Sequence, residues 1–347
     1  MLEYGLVLGA IFLIVFAMLQ LLGRNTNTSL CSGAKAFYHT CGTFTNFTAQ
    51  SGATVHPRSL YVSGNAIFYS EEAATPPKIG EMTLTGGSVA EWTLPAPNGA
   101  VTSMTIGPDK NLWYTEWCSG CAKIGRITLS AGTVAEYTFG APVQPESIRA
   151  GPDGNLWFTL ATDDAIDKIS TAGASLSAPT RYQIHTPAVP DTITDPVATS
   201  LMLGRDGSWY FVEAAKNKIG RMSMTGTMTG EWNTPNGPFS LTQTNDGNFW
   251  FTEAGADKVA VMDGTTHGVT EYSVPGAGGW LWSLVQGGDN DVYVVDPNER
   301  KVLQYTLSGT RTDFTDSADD FCLNISVADD HNIWCTGYSG GALVRLS

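Results

Sequence analysis

The sequence predicts an all-β protein, a seven-bladed β-propeller preceded by a single long N-terminal hydrophobic α-helix. A motif made of a turn and an aromatic strand occurs seven times, at intervals of 40 to 53 residues. Glycine, proline and tryptophan are abundant, with 38, 17 and 10 copies among 347 residues, which favours short strands and tight turns. An uncharged apolar run over residues 4–23 stands before the first motif and predicts the helix.

The overall composition limits the class of protein. Apolar residues make up 42% of the chain and charged residues 15%, which predicts a large folded core rather than disorder. The formal net charge of −14 leaves no basic surface to neutralise phosphates, so nucleic acid is excluded as an expected partner.

The apolar run is long enough to cross a bilayer, because a helix over residues 4–23 spans about 30 Å. A membrane anchor and a cleaved signal peptide are alternatives, but the basic segment that usually precedes them is missing, since Glu3 is the only charge before the run. The start Glu3-Tyr4-Gly5-Leu6, with the later Leu-Gly-Arg-Asn at 22–25, resembles the N-terminus of Flp-type pilins of the Tad branch of type IV pili.

This resemblance implies that residues 1–30 form a polymerisation helix. The helix would rest in the membrane before assembly and then pack against copies of itself in a helical homopolymer. Glu3 would pair with the N-terminal amine of a neighbouring subunit, with Tyr4, Gly5 and Leu6 at the same assembly contact. We therefore expect an extracellular, cell-surface filament whose propellers bind a surface or a glycan. A membrane-anchored extracytoplasmic enzyme or binding module is the alternative.

Each repeated motif begins a unit of four strands. The seven copies span residues 63–71, 107–116, 151–160, 204–213, 245–253, 288–296 and 329–337. An entering strand precedes each turn, and a Lys-Ile-Gly-Arg strand (123–126 in the second copy) and an outer strand follow the aromatic one. Four strands per copy make one propeller blade, and seven copies close a ring. Helical and leucine-rich solenoids are excluded by the turn chemistry and the missing 3.6-residue period.

Closure of the ring is also predicted. The last copy ends with a third strand at 342–347 and has no outer strand after it. Aromatic and threonine residues alternate over 42–49, so this segment is expected to pair with 342–347 and complete the propeller of residues 31–347. The regularly spaced tryptophans of the aromatic strands are expected to form core between blades rather than sugar-binding platforms.

The repeats GPDKNLWYTE (107–116) and GPDGNLWFTL (151–160), with the Lys-Ile-Gly-Arg strand, resemble those of the virginiamycin B lyase family over residues 50–347. This resemblance implies a seven-bladed propeller that opens a cyclic depsipeptide antibiotic by elimination. Histidines and a magnesium ion near acidic side chains, at the mouth of the central channel, would perform the reaction. In the family a catalytic histidine stands a fixed number of residues before the glutamate that ends the aromatic strand.

The corresponding positions in this chain mostly lack histidine. Counting fourteen residues back from each strand end gives His56/Ser70, Thr102/Glu116, Glu146/Leu160, Thr199/Glu213, Phe239/Glu253, Trp282/Asp296 and Leu323/Gly337. Only His56 falls in such a position, and Phe239 and Trp282 are expected to crowd the channel mouth. Because proton abstraction needs a positioned base, the sequence predicts that the chain is not an enzyme.

Four carboxylates at strand ends are candidate metal ligands: Glu116, Glu213, Glu253 and Asp296. If they converge on one face of the ring, they could hold Ca²⁺ or Mg²⁺. The alternative is that each carboxylate is a repeated structural position that neighbouring backbone amides or water satisfy. No other cofactor is expected.

The cysteines indicate an oxidising compartment, and the sequons are candidate glycan acceptors. Six cysteines form three local pairs, Cys31/Cys41, Cys118/Cys121 and Cys322/Cys335, which are expected to be disulfides. Three sequons, at Asn27, Asn46 and Asn324, are candidate glycosylation sites.

Overall fold

The structure, a computed structural model, describes residues 43–49, 56–72, 74–96, 99–117, 122–139, 143–160, 163–172, 176, 178–184, 201–253, 255–315, 322–337 and 340–347. The described residues form seven antiparallel sheets of four strands each. The predicted all-β, seven-bladed propeller is therefore confirmed. In six blades the strands follow chain order from the channel outwards.

Blades 1 to 4 are formed by the strands β2 to β17, in chain order. Blade 1 contains β2 Pro57–Ser63, β3 Ala66–Glu71, β4 Lys78–Thr83 and β5 Ser88–Thr93. Blade 2 contains β6 Ala100–Ile106, β7 Leu112–Trp117, β8 Lys123–Thr128 and β9 Thr133–Thr138. Blade 3 contains β10 Pro145–Ala150, β11 Asn155–Leu160, β12 Ala165–Ser170 and β13 Thr180–Gln183. Blade 4 contains β14 Leu201–Leu203, β15 Trp209–Glu213, β16 Lys218–Met222 and β17 Met228–Asn233, with a 3₁₀ turn at Ala214–Lys216.

The remaining blades complete the circle. Blade 5 contains β18 Pro238–Gln243, β19 Phe249–Glu253, β20 Lys258–Met262 and β21 Val269–Ser273. Blade 6 contains β22 Leu284–Gln286, β23 Val292–Asp296, β24 Lys301–Tyr305 and β25 Arg311–Thr315. Blade 7 contains β26 Cys322–Val327, β27 Ile333–Gly337, β28 Ala342–Leu346 and, as its outermost strand, β1 Phe44–Thr48.

The first and last strands of the propeller close the ring as predicted. β1 pairs with β28 in antiparallel register from Phe44 opposite Leu346 to Thr48 opposite Ala342. Phe47 of β1 also packs on Trp334 with ring centroids 5.0 Å apart. The edge of β28 is thereby covered by a strand from the other end of the chain, so blade 7 has four strands like the other blades.

The core lies between neighbouring sheets. Five of the largest fully buried side chains are tryptophans of the second strands: Trp113, Trp157, Trp209, Trp250 and Trp334. This places the repeated tryptophans in the core, as predicted. Burying such a side chain stabilises the fold by about 3 kcal/mol relative to leaving it in water.

The glycine of the Lys-Ile-Gly-Arg strand makes room for an aromatic ring. Gly125 of β8 lies directly opposite Tyr114 of β7, and a Cβ added at Gly125 would overlap the tyrosine ring. Gly80 stands in the same relation to Tyr69, and Gly220 to Phe211. The recurring glycine is therefore a packing requirement of these three blades.

Several sequence predictions fall outside the described residues. These are the helix over 4–23, Glu3, Tyr4, Gly5, Leu6, Asn27, Cys31, Cys41, Cys118 and Cys121. Among the residues that the structure describes, no helix has the length and hydropathy needed to cross a membrane.

Candidate functional site

One face of the ring is the candidate ligand-binding face. At this face, here called the mouth face, the first strand of each blade begins and the second strand ends. The register shows it directly, because Pro145 lies opposite Leu160 in blade 3 and Pro238 opposite Glu253 in blade 5. In each blade the next residue along the first strand, such as Glu146 after Pro145 and Phe239 after Pro238, lies at the entry to the central channel.

In blades 2, 3, 5, 6 and 7 these entry positions are Thr102, Glu146, Phe239, Trp282 and Leu323. They are the residues that counting along the sequence selected. The blade 4 residue, Thr199, lies outside the described residues.

In blade 1 the observed register disagrees with the fourteen-residue count made on the sequence. Arg58, and not His56, occupies the entry position. Pro57 lies opposite Glu71, so Glu71 and not Ser70 ends the second strand. A hydrogen bond across the blade boundary gives the same answer. Thr336 Oγ1 donates to the Arg58 carbonyl, just as Thr115 Oγ1 donates to that of Glu146. The segment from the start of the first strand to the end of the second strand is one residue shorter in blade 1 than in blades 3 and 5. A fixed count of fourteen residues therefore selected the wrong residue in blade 1.

The entry positions divide into a polar arc and an apolar arc. The polar arc consists of Arg58, Thr102 and Glu146 in blades 1 to 3. Arg58 lies 3.7 Å from a Glu72 carboxylate oxygen, measured from Nη1. Thr102 Oγ1 donates to Thr115 Oγ1 at 2.8 Å. Glu146 is buried and accepts a hydrogen bond from Gln144 Nε2 at 3.2 Å.

The apolar arc consists of Phe239, Trp282 and Leu323 in blades 5 to 7. The Phe239 and Trp282 rings meet edge to face, with centroids 6.0 Å apart. Trp280, two residues before Trp282, is 43% exposed and lies 6.3 Å from it, so it extends the aromatic surface outwards. An exposed tryptophan beside a channel entry offers an apolar contact that solvent does not favour. Thr102, Glu146, Phe239 and Leu323 are buried, so the accessible surface of the two arcs consists of Trp280 and Trp282 on one side and Arg58 on the other.

The strand-end carboxylate of blade 2 is held inside its own blade. Glu116 is fully buried and accepts a hydrogen bond of 2.5 Å from the Gly99 backbone N–H. Burial raises the pKa of Glu116 to about 7, against the lowering effects of the Gly99 hydrogen bond and of Lys123. Lys123 is itself buried and pairs with Glu136 at 2.8 Å.

The other strand-end carboxylates are also held within single blades. Burial raises the pKa of Glu253, which accepts a hydrogen bond of 3.1 Å from Asn236 Nδ2. Burial likewise raises the pKa of Asp296, which accepts one of 3.1 Å from the Glu299 N–H. Glu213 lies 3.5 Å from Lys216 Nζ, and the newly identified member of this set, Glu71, is fully buried.

The described residues do not fit a metal ion bound by these carboxylates. Within the described ranges, no group of three or more His, Cys, Asp or Glu side chains could hold a metal. Glu116, Glu213, Glu253 and Asp296 do not form one cluster, because each is held by contacts within its own blade. A Ca²⁺ or Mg²⁺ site therefore stays a prediction that no arrangement of the described residues supports.

The described histidines lie on different faces. His56 is partly buried and immediately precedes β2, so it lies at the mouth face, two residues before Arg58. His267 lies in the turn between β20 and β21, and His331 in the turn between β26 and β27, at the opposite face. His39 and His185 lie outside the described residues.

The disulfide and glycosylation predictions have separate outcomes. Cys322 and Cys335 form a disulfide that joins β26 to β27, with Cα atoms 5.5 Å apart, so this pair is confirmed. Asn46 is exposed on β1 and stays a candidate glycosylation site. Asn324 is only 6% exposed and lines the central channel, a position that disfavours a glycan, and its glycosylation stays a prediction.

The central channel contains a cavity of about 240 Å³. Its walls are the first strands of all seven blades. Sequence reasoning missed its single charged lining residue in the described part of the chain, Arg149 of β10. The sequence does carry a signal for it, since the entering strand of the third copy contains an arginine where the second copy, Ser103-Met104-Thr105-Ile106, has none.

Comparisons with known proteins agree with the geometry. The model of the virginiamycin B lyase family matches residues 28–197 and 180–347. A streptogramin B lyase structure is similar with a TM-score of 0.74 and 22% identity, covering 88% of this chain and 97% of that one. A catalytically inactive virginiamycin B lyase from Staphylococcus aureus with quinupristin gives a TM-score of 0.73 and 24% identity, covering 87% and 98%. The selenomethionine-substituted form of that enzyme gives 0.73 and 25%, with the same coverage. No curated protein matches the chain.

These matches overturn one prediction. The chain was expected not to be an enzyme because the family's histidine positions are mostly filled by other residues. The matched family and the similar structures are lyases, so that prediction is wrong. The matches contain no support for the pilin resemblance of residues 1–30, which stays a prediction.

Proposed function

The chain belongs to the virginiamycin B lyase family, and from this premise we propose that it is a lyase-type propeller enzyme acting at the mouth face. The observation that carries the proposal is the division of the channel entry into an aromatic arc and a polar arc. A cyclic depsipeptide has apolar side chains and a polar ester-containing backbone. The aromatic arc suits the former and the polar arc suits the latter.

The aromatic arc would hold the apolar part of the substrate. Trp280 is exposed enough to stack on an incoming ring, and Phe239 and Trp282 form the wall behind it. Aromatic contacts of this kind contribute about 0.5–1.5 kcal/mol each beyond the area they bury. Their position on one side of the entry would orient the ester towards blades 1 to 3.

The polar arc would supply the chemistry. In an elimination, a base removes a proton from the carbon next to a carbonyl, a C=C bond forms, and the C–O bond to the leaving carboxylate breaks. His56 is the one described histidine at the mouth face and is the proposed base. Arg58, two residues further on, would stabilise the departing carboxylate, for which a guanidinium is well matched. The proton ends on the base and then on solvent or product, and no water is consumed.

Quinupristin is the test substrate, because a similar lyase structure contains it. We expect the full-length protein to convert it to a linear product of unchanged mass, followed by chromatography and tandem mass spectrometry. His56→Ala and Arg58→Met should each lower the rate by about 100-fold or more. His267→Asn is the matched control, since His267 lies at the opposite face and its φ of 61° suits asparagine.

Three results would contradict the proposal. The first is no ring opening above the buffer rate. The second is a product heavier by one water, which indicates hydrolysis instead of elimination. The third is an equal rate for wild type, His56→Ala and Arg58→Met, which would place the chemistry elsewhere.

An extracytoplasmic filament subunit is a second candidate function for the N-terminal segment, and one observation favours it. β1 is the outermost strand of blade 7, and its first residue, Phe44, lies opposite Leu346 at the rim of the propeller, at the end of the blade away from the mouth. A helix attached there could pack against copies of itself without covering the channel. Negative-stain microscopy of material sheared from producing cells should show fibres with bead-like knobs. A variant lacking residues 1–30 should show none, and fibres in that variant would contradict the assignment.

A further inference from the structure

The cavity lies inside the channel, deeper than the mouth, and shares Thr102 with it. Arg149 stands three residues after the entry residue Glu146 on β10, which places it about 10 Å deeper along the strand. The blades that line the cavity contribute hydroxyl, amide and apolar groups in addition to this one guanidinium.

Arg149 has hydrogen bonds but no carboxylate partner among the described residues. Its Nη1 donates to the Ile148 carbonyl at 2.8 Å and to Ser103 Oγ at 3.3 Å. The ion pairs of the described chain do not include it. Burial lowers the pKa of the Arg149 guanidinium, and the neighbouring Tyr61 opposes this effect. A guanidinium nevertheless stays charged at neutral pH.

An enclosed charge without a counter-charge is costly, so such groups are normally paired or bind an ion. The chain carries a net charge of −14, yet none of its described carboxylates pairs with this arginine. The guanidinium partly faces the open cavity, where an anion could accept hydrogen bonds from it.

The walls of the cavity indicate the kind of anion. Arg149, Ser103 and Tyr61, from blades 1 to 3, form a polar side. Met202 and Leu241, from blades 4 and 5, contribute apolar surface, beside the polar side chains of Thr242 and Asn324. A volume of about 240 Å³ is below that of most drug-sized ligand pockets and suits a molecule of a few carbons.

We propose that the channel cavity is a binding site for a small organic carboxylate, whose carboxylate is held by Arg149 and Ser103 and whose alkyl part packs on Met202 and Leu241. This site does not depend on the reaction proposed for the mouth. It adds an acid-binding site around Arg149, deeper in the channel, and Arg149 has no part in the reaction proposed for the mouth.

Butyrate is the probe, and the full-length protein is titrated with it by calorimetry at constant ionic strength, with chloride as the replaced anion. Wild type should bind butyrate saturably. Inorganic phosphate, which lacks an alkyl part, should bind at least about 10-fold more weakly. Arg149→Met should weaken butyrate binding by about 10- to 100-fold, the effect of losing a charged hydrogen-bonding partner. Arg149→Lys keeps the positive charge but loses the two parallel hydrogen bonds that a guanidinium can donate to a carboxylate. It should bind butyrate with an affinity between those of wild type and Arg149→Met.

Arg311→Met is the matched control, because Arg311 lies on the outer strand β25 and pairs with Asp313 at 2.9 Å, far from the cavity in its blade. It changes the net charge by the same amount as Arg149→Met and should leave butyrate binding unchanged. The proposal is overturned if wild type shows no saturable butyrate binding, or if Arg149→Lys binds with wild-type affinity. Equal affinities for phosphate and butyrate would overturn the assignment of an organic carboxylate. Should Arg149→Met fail to fold, the comparison of wild type with Arg149→Lys decides the matter.

Discussion

The contact between Gly125 and Tyr114 allows a sharp test of how the blades are packed. Replacing Gly125 by alanine adds a Cβ that would overlap the Tyr114 ring, which is fully buried and cannot move into solvent. Carbon atoms attract each other only at about 3.5–4.0 Å, so the ring has to shift. The shift also disturbs the hydrogen bond of 2.7 Å from Tyr114 Oη to Glu136.

The size of the effect follows from three contributions. Overpacking a core costs about 1–3 kcal/mol. Weakening a hydrogen bond to a carboxylate costs up to about 1.5–3 kcal/mol. Restricting the unfolded chain by replacing glycine with alanine returns about 0.4–1 kcal/mol. We therefore expect Gly125→Ala to lower the free energy of unfolding by about 2–4 kcal/mol, measured by urea unfolding with tryptophan fluorescence.

The control is Gly268→Ala, which has the same unfolded-state effect but open space around it. The nearest atom to an added Cβ there is Thr266 Oγ1, at 3.6 Å. It should leave stability unchanged or raise it by up to about 1 kcal/mol. In a Tyr114→Leu background, which removes the overlapping ring atoms, Gly125→Ala should cost much less. Equal stabilities of Gly125→Ala and Gly268→Ala would refute the packing explanation.

Three further predictions concern charge, closure and the disulfide. The pKa of Glu116 is raised from 4.5 to about 7 in the folded state, so ionising it costs stability as the pH rises through this window. The free energy of unfolding of Glu116→Gln, relative to that of wild type, should therefore rise by up to about 3 kcal/mol between pH 5 and pH 8 in urea unfolding. A pH-independent difference between the two proteins would contradict this. Phe47→Ala removes the packing on Trp334 that fastens β1, and should lower the free energy of unfolding by about 2–4 kcal/mol. If calorimetric unfolding is unchanged, β1 does not fasten the ring. Replacing both Cys322 and Cys335 by serine opens a loop of sequence separation 13 and should lower the free energy of unfolding by about 3 kcal/mol in urea unfolding without reductant. An unchanged unfolding midpoint would contradict this.

The fold could be predicted from the sequence because each blade repeats the same local signals. Turn residues, aromatic strands and the missing outer strand of the last copy together led to a closed ring, and the observed β1–β28 pairing agrees with it. The disulfide between Cys322 and Cys335 followed from their proximity in the sequence. These features depend on neighbouring residues or on a count of strands, which a single sequence contains.

The site was harder to predict because it depends on register and on side-chain direction. Blade 1 is one residue shorter than the blades that set the count, so Arg58 takes the position that His56 was expected to hold. The sequence of this first, degenerate copy does not indicate at which position a residue is missing relative to the other copies. For the strand-end carboxylates the sequence left open whether they converge or are satisfied separately, and local donors such as the Gly99 N–H, which bonds Glu116, agree with the second alternative. Arg149 was passed over because its pairing state is a property of the assembled ring.

The attachment of β1 to the rim allows the propeller to be closed by another molecule. All the strand pairing of β1 is with β28, and no other described strand lies beside it. The β1 of one molecule could therefore occupy the place beside β28 of a second molecule, with the same register and side-chain contacts. Such an exchange would link propellers in a row and would cost little beyond the loss of independent motion. Molecules gathered by their N-terminal segments would be the ones most exposed to it.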